Sequence, residues 1–221
     1  MKLSRKRPTA PNRKETLRAL LRERDHDALL RWAQQDRQAV RTVFSALFEP
    51  DPLLRWRAIE ALGLLADRQS GRDPETVREW LRRLLWNMND ESGGLMWHGP
   101  EAIAAILVNV SALIPEFVML LFSYHVQEPF EAGTYTALAR IADLEPKRVA
   151  PFWPLLEKGL EDADPRIRAY AARIAELTGE RVASPETLAR VRQERTPLTV
   201  YDHELGTLRE TTVGAVATGS P

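Results

Sequence analysis

The side chains best suited to recognition or chemistry are concentrated in one segment, residues 86–100. This segment contains two tryptophans, two asparagines, two acidic residues, a histidine and three glycines. Glycine tolerates unusual backbone angles, and long structured loops in compact domains are often functional, so the composition predicts a recognition loop. The predicted binding residues are Asn87, Asn89, Asp90, Glu91, Trp97 and His98, with Trp86 as a second flat apolar contact.

Metal binding and catalysis have weaker support in the sequence. Asp90, Glu91 and His98 could ligate a cation, but the four histidines, at positions 26, 98, 125 and 203, lack the paired spacing of histidine metal sites. The absence of cysteine excludes disulfides, thiolate zinc sites and cysteine nucleophiles. No Ser-His-Asp arrangement, P-loop or Rossmann glycine pattern is present. We therefore predict no metal, no cofactor and no catalytic residue, and we favour a protein that is not an enzyme.

The formal charge is balanced overall but unevenly distributed. Residues 1–14 hold six of the 31 Lys and Arg and none of the 31 Asp and Glu, so the remainder of the chain has an acidic excess. Residues 1–12 are predicted to be a disordered basic tail. Nucleic-acid binding needs clustered Lys and Arg, so a nucleic-acid partner is possible but not favoured.

One strongly apolar stretch, residues 102–124, is long enough to cross a bilayer. Pro115 and Glu116 interrupt it, and both residue types suit the first turn of a helix. The stretch therefore predicts two buried helices, at about 102–113 and 115–125, and no membrane span. Without a signal peptide or cysteine, the chain is expected to be cytoplasmic.

The elements that would position the loop contain one pattern twice, D-P-x-x-R-x-x-A. The first copy has Asp51 and Arg55, and the second has Asp164 and Arg168. An Asp here can cap the following helix, and Pro fits the first helical turn. The arginine can reach back to the capping region or to a neighbouring turn, and the alanines let helices approach closely. We therefore predict structural roles for these four residues.

The first copy continues to Ala61-Leu62-Gly63, and the whole stretch resembles the HEAT repeat family, including its bacterial PBS lyase HEAT-like branch. The resemblance implies an all-α fold, a short α-α superhelix in which this stretch marks the first helix of each helical pair. Four alanines in equivalent positions are separated by 44, 35 and 34 residues, close to the period of about 34–47 residues of such repeats; they are Ala58, Ala102, Ala137 and Ala171.

The 44-residue step contains the segment 86–100, which replaces a short turn. This position leaves a second interpretation open. The segment could be a structural plug in which Trp97 packs between repeats and Asp90 caps a helix, since Trp is usually mostly buried.

Further helix-start signals occur at Asp73, Pro115, Glu145 and Ser184. Pro151 and Pro154 are expected to bend or restart the helix that runs from Glu145 to about residue 161. Three amphipathic helices, at about 13–23, 26–35 and 36–48, would cap the N-terminal end of the stack. The predicted helical repeat domain therefore spans residues 13–195.

The C-terminal segment differs, because residues 198–202 and 207–213 form two β-type runs around a turn. We predict a small β-hairpin appendage at 196–213, followed by a disordered tail at 214–221. An isolated hairpin is marginally stable in water, so it should pack on the helices, await a partner, or mediate a homodimer by strand pairing.

These observations favour a non-enzymatic interaction or assembly module, which binds a protein or peptide partner through its groove and the loop at 87–98. The alternative is a nucleic-acid binder or a nucleic-acid enzyme that resembles the alkylpurine DNA glycosylases, HEAT-like proteins that use a basic groove, Trp residues and a catalytic carboxylate. Six tryptophans fit this alternative, and the acidic body does not.

Overall fold

The computed structural model describes residues 12–89, 96–179 and 181–219. The described chain is mostly helical and ends in a two-stranded sheet followed by a short helix. The helices are α1 (Arg13–Glu23), α2 (His26–Gln35), α3 (Ala39–Ala46), α4 (Pro52–Ser70), α5 (Pro74–Met88), α6 (Gly99–Asn109), α7 (Ile114–Phe122), α8 (Glu131–Leu144), α9 (Pro146–Val149), α10 (Trp153–Leu156), α11 (Pro165–Thr178), α12 (Pro185–Arg192) and α13 (Val213–Thr218). Strands β1 (Pro197–Asp202) and β2 (Thr207–Thr212) pair antiparallel, with Tyr201 opposite Leu208.

Four helices form a central row in which each packs on the next: α4, α6, α8 and α11. Helices α5, α7 and α12, together with residues 146–161, pack against this row. Helices α1, α2 and α3 pack on α4, and α13 packs on α11. The core runs continuously along the row, and every residue from Ala102 to Leu107 in α6 is buried.

Helix starts follow the capping chemistry of the sequence. The carboxylate of Asp51 accepts hydrogen bonds from the N–H groups of Leu53 and Leu54, and that of Asp164 accepts from the N–H of Arg166. In each case proline occupies the first turn, where its missing N–H has no intrahelical partner to lose.

The two motif arginines also adopt matching positions. Arg55 Nη1 donates to the carbonyl oxygen of Glu49 at 2.8 Å, and Arg168 Nη1 donates to that of Asp162 at 2.7 Å. Arg168 additionally pairs with Glu194. Both copies of the motif therefore tie the start of a helix to the turn that precedes it.

Close approach of α4 and α6 depends on Gly63. A Cβ at this position would lie 2.5 Å from the carbonyl oxygen of Ala105. The small side chains of the central row thus allow its helices to pack backbone against backbone.

The apolar stretch at 102–124 folds as two helices with a break between them. A 3₁₀ turn, Ser111–Leu113, separates α6 from α7, and the chain bends by 116° there. Among the described residues, no single helix is long and apolar enough to cross a membrane, although the bent pair taken together has the necessary length and composition.

Several expectations need correction. Helix α3 covers Ala39–Ala46 rather than 36–48. The segment after Glu145 is divided into α9, α10 and 3₁₀ turns, in agreement with the expected effect of Pro151 and Pro154, which cannot donate helical hydrogen bonds. The expected disordered tail at 214–221 is wrong for residues up to 218, which belong to α13. Thr212 caps this helix, and Val213 and Ala217 are buried. Residues 1–11 of the predicted basic tail lie outside the described residues.

Candidate functional site

The described residues of the predicted recognition loop include two exposed tryptophans and polar residues that contact the neighbouring helices. Trp86, in the last turn of α5, is 75% exposed, and Trp97, just before α6, is 68% exposed. Trp97 is therefore not packed between helices as a structural plug would require. Asp90 and Glu91 lie outside the described residues.

Asn89 and His98 have structural contacts instead. Asn89 ends α5, and its Nδ2 donates to the carbonyl oxygen of Leu85 at 2.9 Å and to Tyr124 Oη at 2.6 Å. His98 precedes α6, and its Nδ1 lies 3.2 Å from Oε1 of the buried Glu101. These two residues hold the ends of the segment in place.

Asn87 lines a shallow cavity of about 240 Å³ with Arg41, Phe44, Ser45, Phe48, Arg83 and Met96. Phe48 is 52% exposed, and the Arg83 guanidinium lies over the Phe44 ring at 4.9 Å. Trp86 and Trp97 directly adjoin the lining residues Asn87 and Met96 in the chain. We call Trp86, Asn87, Trp97 and Phe48 the tryptophan surface.

A second site lies where the β-hairpin crosses the central row. Tyr201 of β1 stacks on Trp56 of α4, with ring centroids 5.3 Å apart and planes 2° from parallel. Tyr201 Oη donates to Glu60 Oε2 at 2.9 Å. The hairpin therefore packs on this chain's own helices by aromatic stacking and a hydrogen bond.

The hairpin turn is held by arginines from the N-terminal part of the chain. Arg24 donates to the carbonyl oxygens of His203 and Glu204, and Arg57 donates to that of Gly206 at 2.9 Å. Arg24 also pairs with Glu60 at 2.7 Å. Burial opposes ionisation of Glu60, but hydrogen bonds from Arg24 and Tyr201 outweigh it and lower the pKa of this carboxyl.

Between the hairpin and the central row lies a cavity of about 210 Å³. Its lining comes from α4, α6, α8, α11 and β1 and from the residue that follows β1. The lining residues are Trp56, Glu101, Ala104, Thr136, Ala137, Ala139, Arg140, Asp143, Tyr170, Arg173, Tyr201 and His203. We call this space the hairpin cavity.

The charged groups of the hairpin cavity are incompletely paired. Arg173 pairs with Asp143 at 3.1 Å, but Arg140 has no hydrogen bond or ion pair to any described residue, and its Nη1 is fully enclosed. Burial lowers the pKa of Arg140 to about 10, so the guanidinium remains charged at neutral pH. A partly buried charge without an ion pair is costly, so Arg140 is the most unusual group in the cavity.

His203 adds a titratable group beside this arginine. Burial, together with the positive charge of Arg140, lowers the pKa of His203 to about 4. His203 is therefore neutral at physiological pH. Its ring packs edge-on against Trp56 and Tyr201, at 6.1 Å and 5.0 Å between centroids.

Other arginines are occupied by intramolecular partners. Arg78 pairs with Glu116 at 2.8 Å, Arg82 pairs with Glu75 at 2.7 Å, and Arg57 binds backbone carbonyls. These contacts occupy three arginines of α4 and α5. Within the described ranges, no group of three or more His, Asp or Glu side chains is placed to hold a metal ion.

Among the described residues, none of the predicted binding residues Asn87, Asn89, Trp97 and His98 lines the hairpin cavity. The residues that line this cavity are spread along the sequence from Trp56 to His203, and only folding brings them together. One sequence signal was available: Arg140 is the single charged residue in the apolar run Ala137–Ala142 of a predicted central helix.

A comparison with known proteins finds a relative in Archaeoglobus fulgidus, described as an uncharacterized protein, that is 32% identical to this chain over 161 residues. The matched region covers 71% of this chain and 82% of the relative. No family model matches the chain, and no solved structure matches it at a significant level.

Proposed function

The chain belongs to one family with the uncharacterized Archaeoglobus fulgidus protein, and we propose that it is a short HEAT-type α-solenoid that binds a protein or peptide partner without catalysis. Two features support the solenoid. The central row stacks helix on helix, with a partner helix or helical segment beside each. The motifs at Asp51 and Asp164 also use the same cap and the same arginine contact, as equivalent positions of a repeat would.

The observation that carries the binding proposal is the exposure of Trp86 and Trp97. Tryptophan loses more by remaining in water than almost any other side chain, and it is enriched among the residues that dominate binding energy at interfaces. Trp86 and Trp97 are exposed and are next in the chain to residues that line the same cavity as the exposed Phe48, so we take these side chains as a surface suited to burial by a partner.

The arginines near the tryptophan surface indicate that the partner carries an acidic group. Arg41 and Arg83 line the shallow cavity, and neither pairs with a carboxylate of the described residues. Arginine forms bidentate hydrogen bonds with carboxylates and stacks on aromatic rings. The partner is thus a peptide segment that combines an apolar or aromatic residue with an acidic one.

Peptide display on the purified full-length chain tests this proposal. We expect the selected peptides to be enriched in aromatic or aliphatic residues next to Asp or Glu. Trp97→Ala should weaken their binding by about 30-fold or more, the size of an interface hot spot. The matched control is Leu205→Ala, which removes another exposed apolar side chain, at the hairpin turn. Peptides that bind equally well to Trp86→Ala, Trp97→Ala and the unaltered chain would contradict the proposal.

A further inference from the structure

The hairpin cavity contains a charged group that the described residues do not neutralise. Arg140 lines the cavity and makes no ion pair with any described residue, although the negative charge of Glu60 lies close enough to raise its pKa. Glu60 is instead occupied by Arg24 and Tyr201, and Asp143 is occupied by Arg173. Every acidic partner that could have neutralised Arg140 from these elements is thus already in use, with one exception.

The exception is Glu101, whose carboxylate contacts His98 and helix α8 instead of Arg140. It is only 3% exposed, its Oε1 faces His98, and its Oε2 is fully enclosed against α8, where a Cβ at Gly133 would lie 2.8 Å away. No ion pair joins Glu101 to Arg140. The cavity therefore offers one unneutralised guanidinium, which calls for an anion from outside the chain.

The remaining walls define the rest of the ligand. Ala104, Ala137 and Ala139 supply small apolar surfaces, and Trp56 and Tyr170 supply aromatic ones. A volume of about 210 Å³ far exceeds the roughly 10–15 Å³ that holds one water, yet it lies below the roughly 300–1,000 Å³ of drug-sized sites. The space suits a small molecule with a flat or branched apolar body.

The charge of the anion follows from its other neighbours. Asp143 is already paired with Arg173, so a phosphate dianion would bring two negative charges to one free guanidinium in a cavity that also contains the Glu101 carboxylate. A carboxylate has a single charge, and its two oxygens match the planar fork of arginine. We propose that the hairpin cavity binds a small monocarboxylate, whose carboxylate pairs with Arg140 and whose apolar body packs between Trp56, Tyr170 and the alanines.

This proposal is independent of the tryptophan surface, because the two sites share no residue. Isothermal titration of the full-length chain with 3-phenylpropanoate and 4-methylpentanoate tests it. The matched probes are 3-phenylpropanamide, which has the same shape without charge, and phenyl phosphate, which has a larger charge. We expect saturable millimolar or tighter binding of at least one carboxylate, and at least tenfold weaker binding of the amide and the phosphate.

Arg140→Gln should reduce carboxylate affinity at least tenfold. Arg148→Gln, which alters an exposed arginine paired with Glu145 just after α8, should leave it unchanged. The proposal is overturned if neither carboxylate binds, if the amide binds as well as the acid, or if Arg140→Gln folds and retains full affinity. Should Arg140→Gln fail to fold, the comparison of acid with amide on the unaltered chain decides the matter.

Discussion

The hairpin cavity and the tryptophan surface use aromatic side chains in opposite ways. At the cavity, Trp56 and Tyr201 are stacked on each other, and the tyrosine hydroxyl donates to the partly buried carboxylate of Glu60. At the tryptophan surface, Trp86 and Trp97 face solvent. The aromatic residues of this chain therefore contribute to stability in one region and remain exposed for binding in the other. Substitutions at the two sites should have different effects on stability and on binding.

Tyr201→Ala should have the largest effect on stability. The side chain is 7% exposed and loses its stack on Trp56 and its hydrogen bond to Glu60, so we expect the free energy of unfolding to fall by about 3–5 kcal/mol. Urea denaturation followed by far-ultraviolet circular dichroism measures this change. An effect no larger than that of Trp86→Ala would mean that the hairpin adds nothing to the folded state.

Glu60→Gln should rank second. It leaves Arg24 without its carboxylate partner in a largely enclosed setting, and we expect a loss of about 3 kcal/mol. The matched control is Glu75→Gln, which breaks an exposed pair with Arg82 and should change stability by less than about 0.5 kcal/mol. Equal effects of the two substitutions would show that enclosure under the hairpin does not strengthen the Glu60 pair.

The third-largest expected effect is a loss of stability on acidification, caused by protonation of His203. The pKa of His203 is about 4 in the folded state and 6.5 ordinarily, so the unfolded chain binds more protons between these values. The free energy of unfolding should therefore fall as pH decreases from 6.5 towards 4, by on the order of 2 kcal/mol. Denaturation at several pH values measures the slope, and His203→Gln should flatten it. An unchanged slope in this variant would assign the pH dependence to other groups.

Trp97→Ala should have the smallest effect on stability. A surface substitution away from packed features changes the free energy of unfolding by less than about 0.5 kcal/mol. The same variant should show the large loss of peptide binding described above. Tyr201→Ala should therefore have the larger effect on stability, and Trp97→Ala the larger effect on peptide binding. Thermal denaturation of Trp97→Ala checks this, and a marked destabilisation would indicate that the exposed ring has a structural role.

Much of the helical layout follows from local chemistry, and sequence reasoning therefore predicted it. Asp51, Asp73, Asp164 and Ser184 cap helices at the expected positions, because an oxygen-bearing side chain before proline satisfies free N–H groups in any context. Helix α13 was missed because its short Gly- and Ala-rich sequence gains stability only by packing on α11.

The hairpin cavity was not predicted, since its residues come from helices that are neighbours in space and distant in sequence. In the sequence, Glu101 looks like an ordinary acidic residue in the first turn of a helix. Arg140 is a single charged residue in an apolar helical segment, and nothing in the sequence indicates its surroundings. The absence of an ion pair between Arg140 and any described residue is a property of packing. The exposure of Trp97 likewise could not be decided from composition, which left both interpretations of the segment open.

The contact between Arg24 and the carbonyl oxygens of His203 and Glu204 has a consequence for how the molecule unfolds. In a stack of repeats where each touches only its neighbours, stability is a sum of local terms, and the ends can fray independently. Here the last segments of the chain are fastened to the first helices, so neither end can open without disturbing the other. We expect the protein to lose its structure in one cooperative transition, and its N-terminal helices to reach full protection from hydrogen exchange only after the final twenty or so residues have been synthesised.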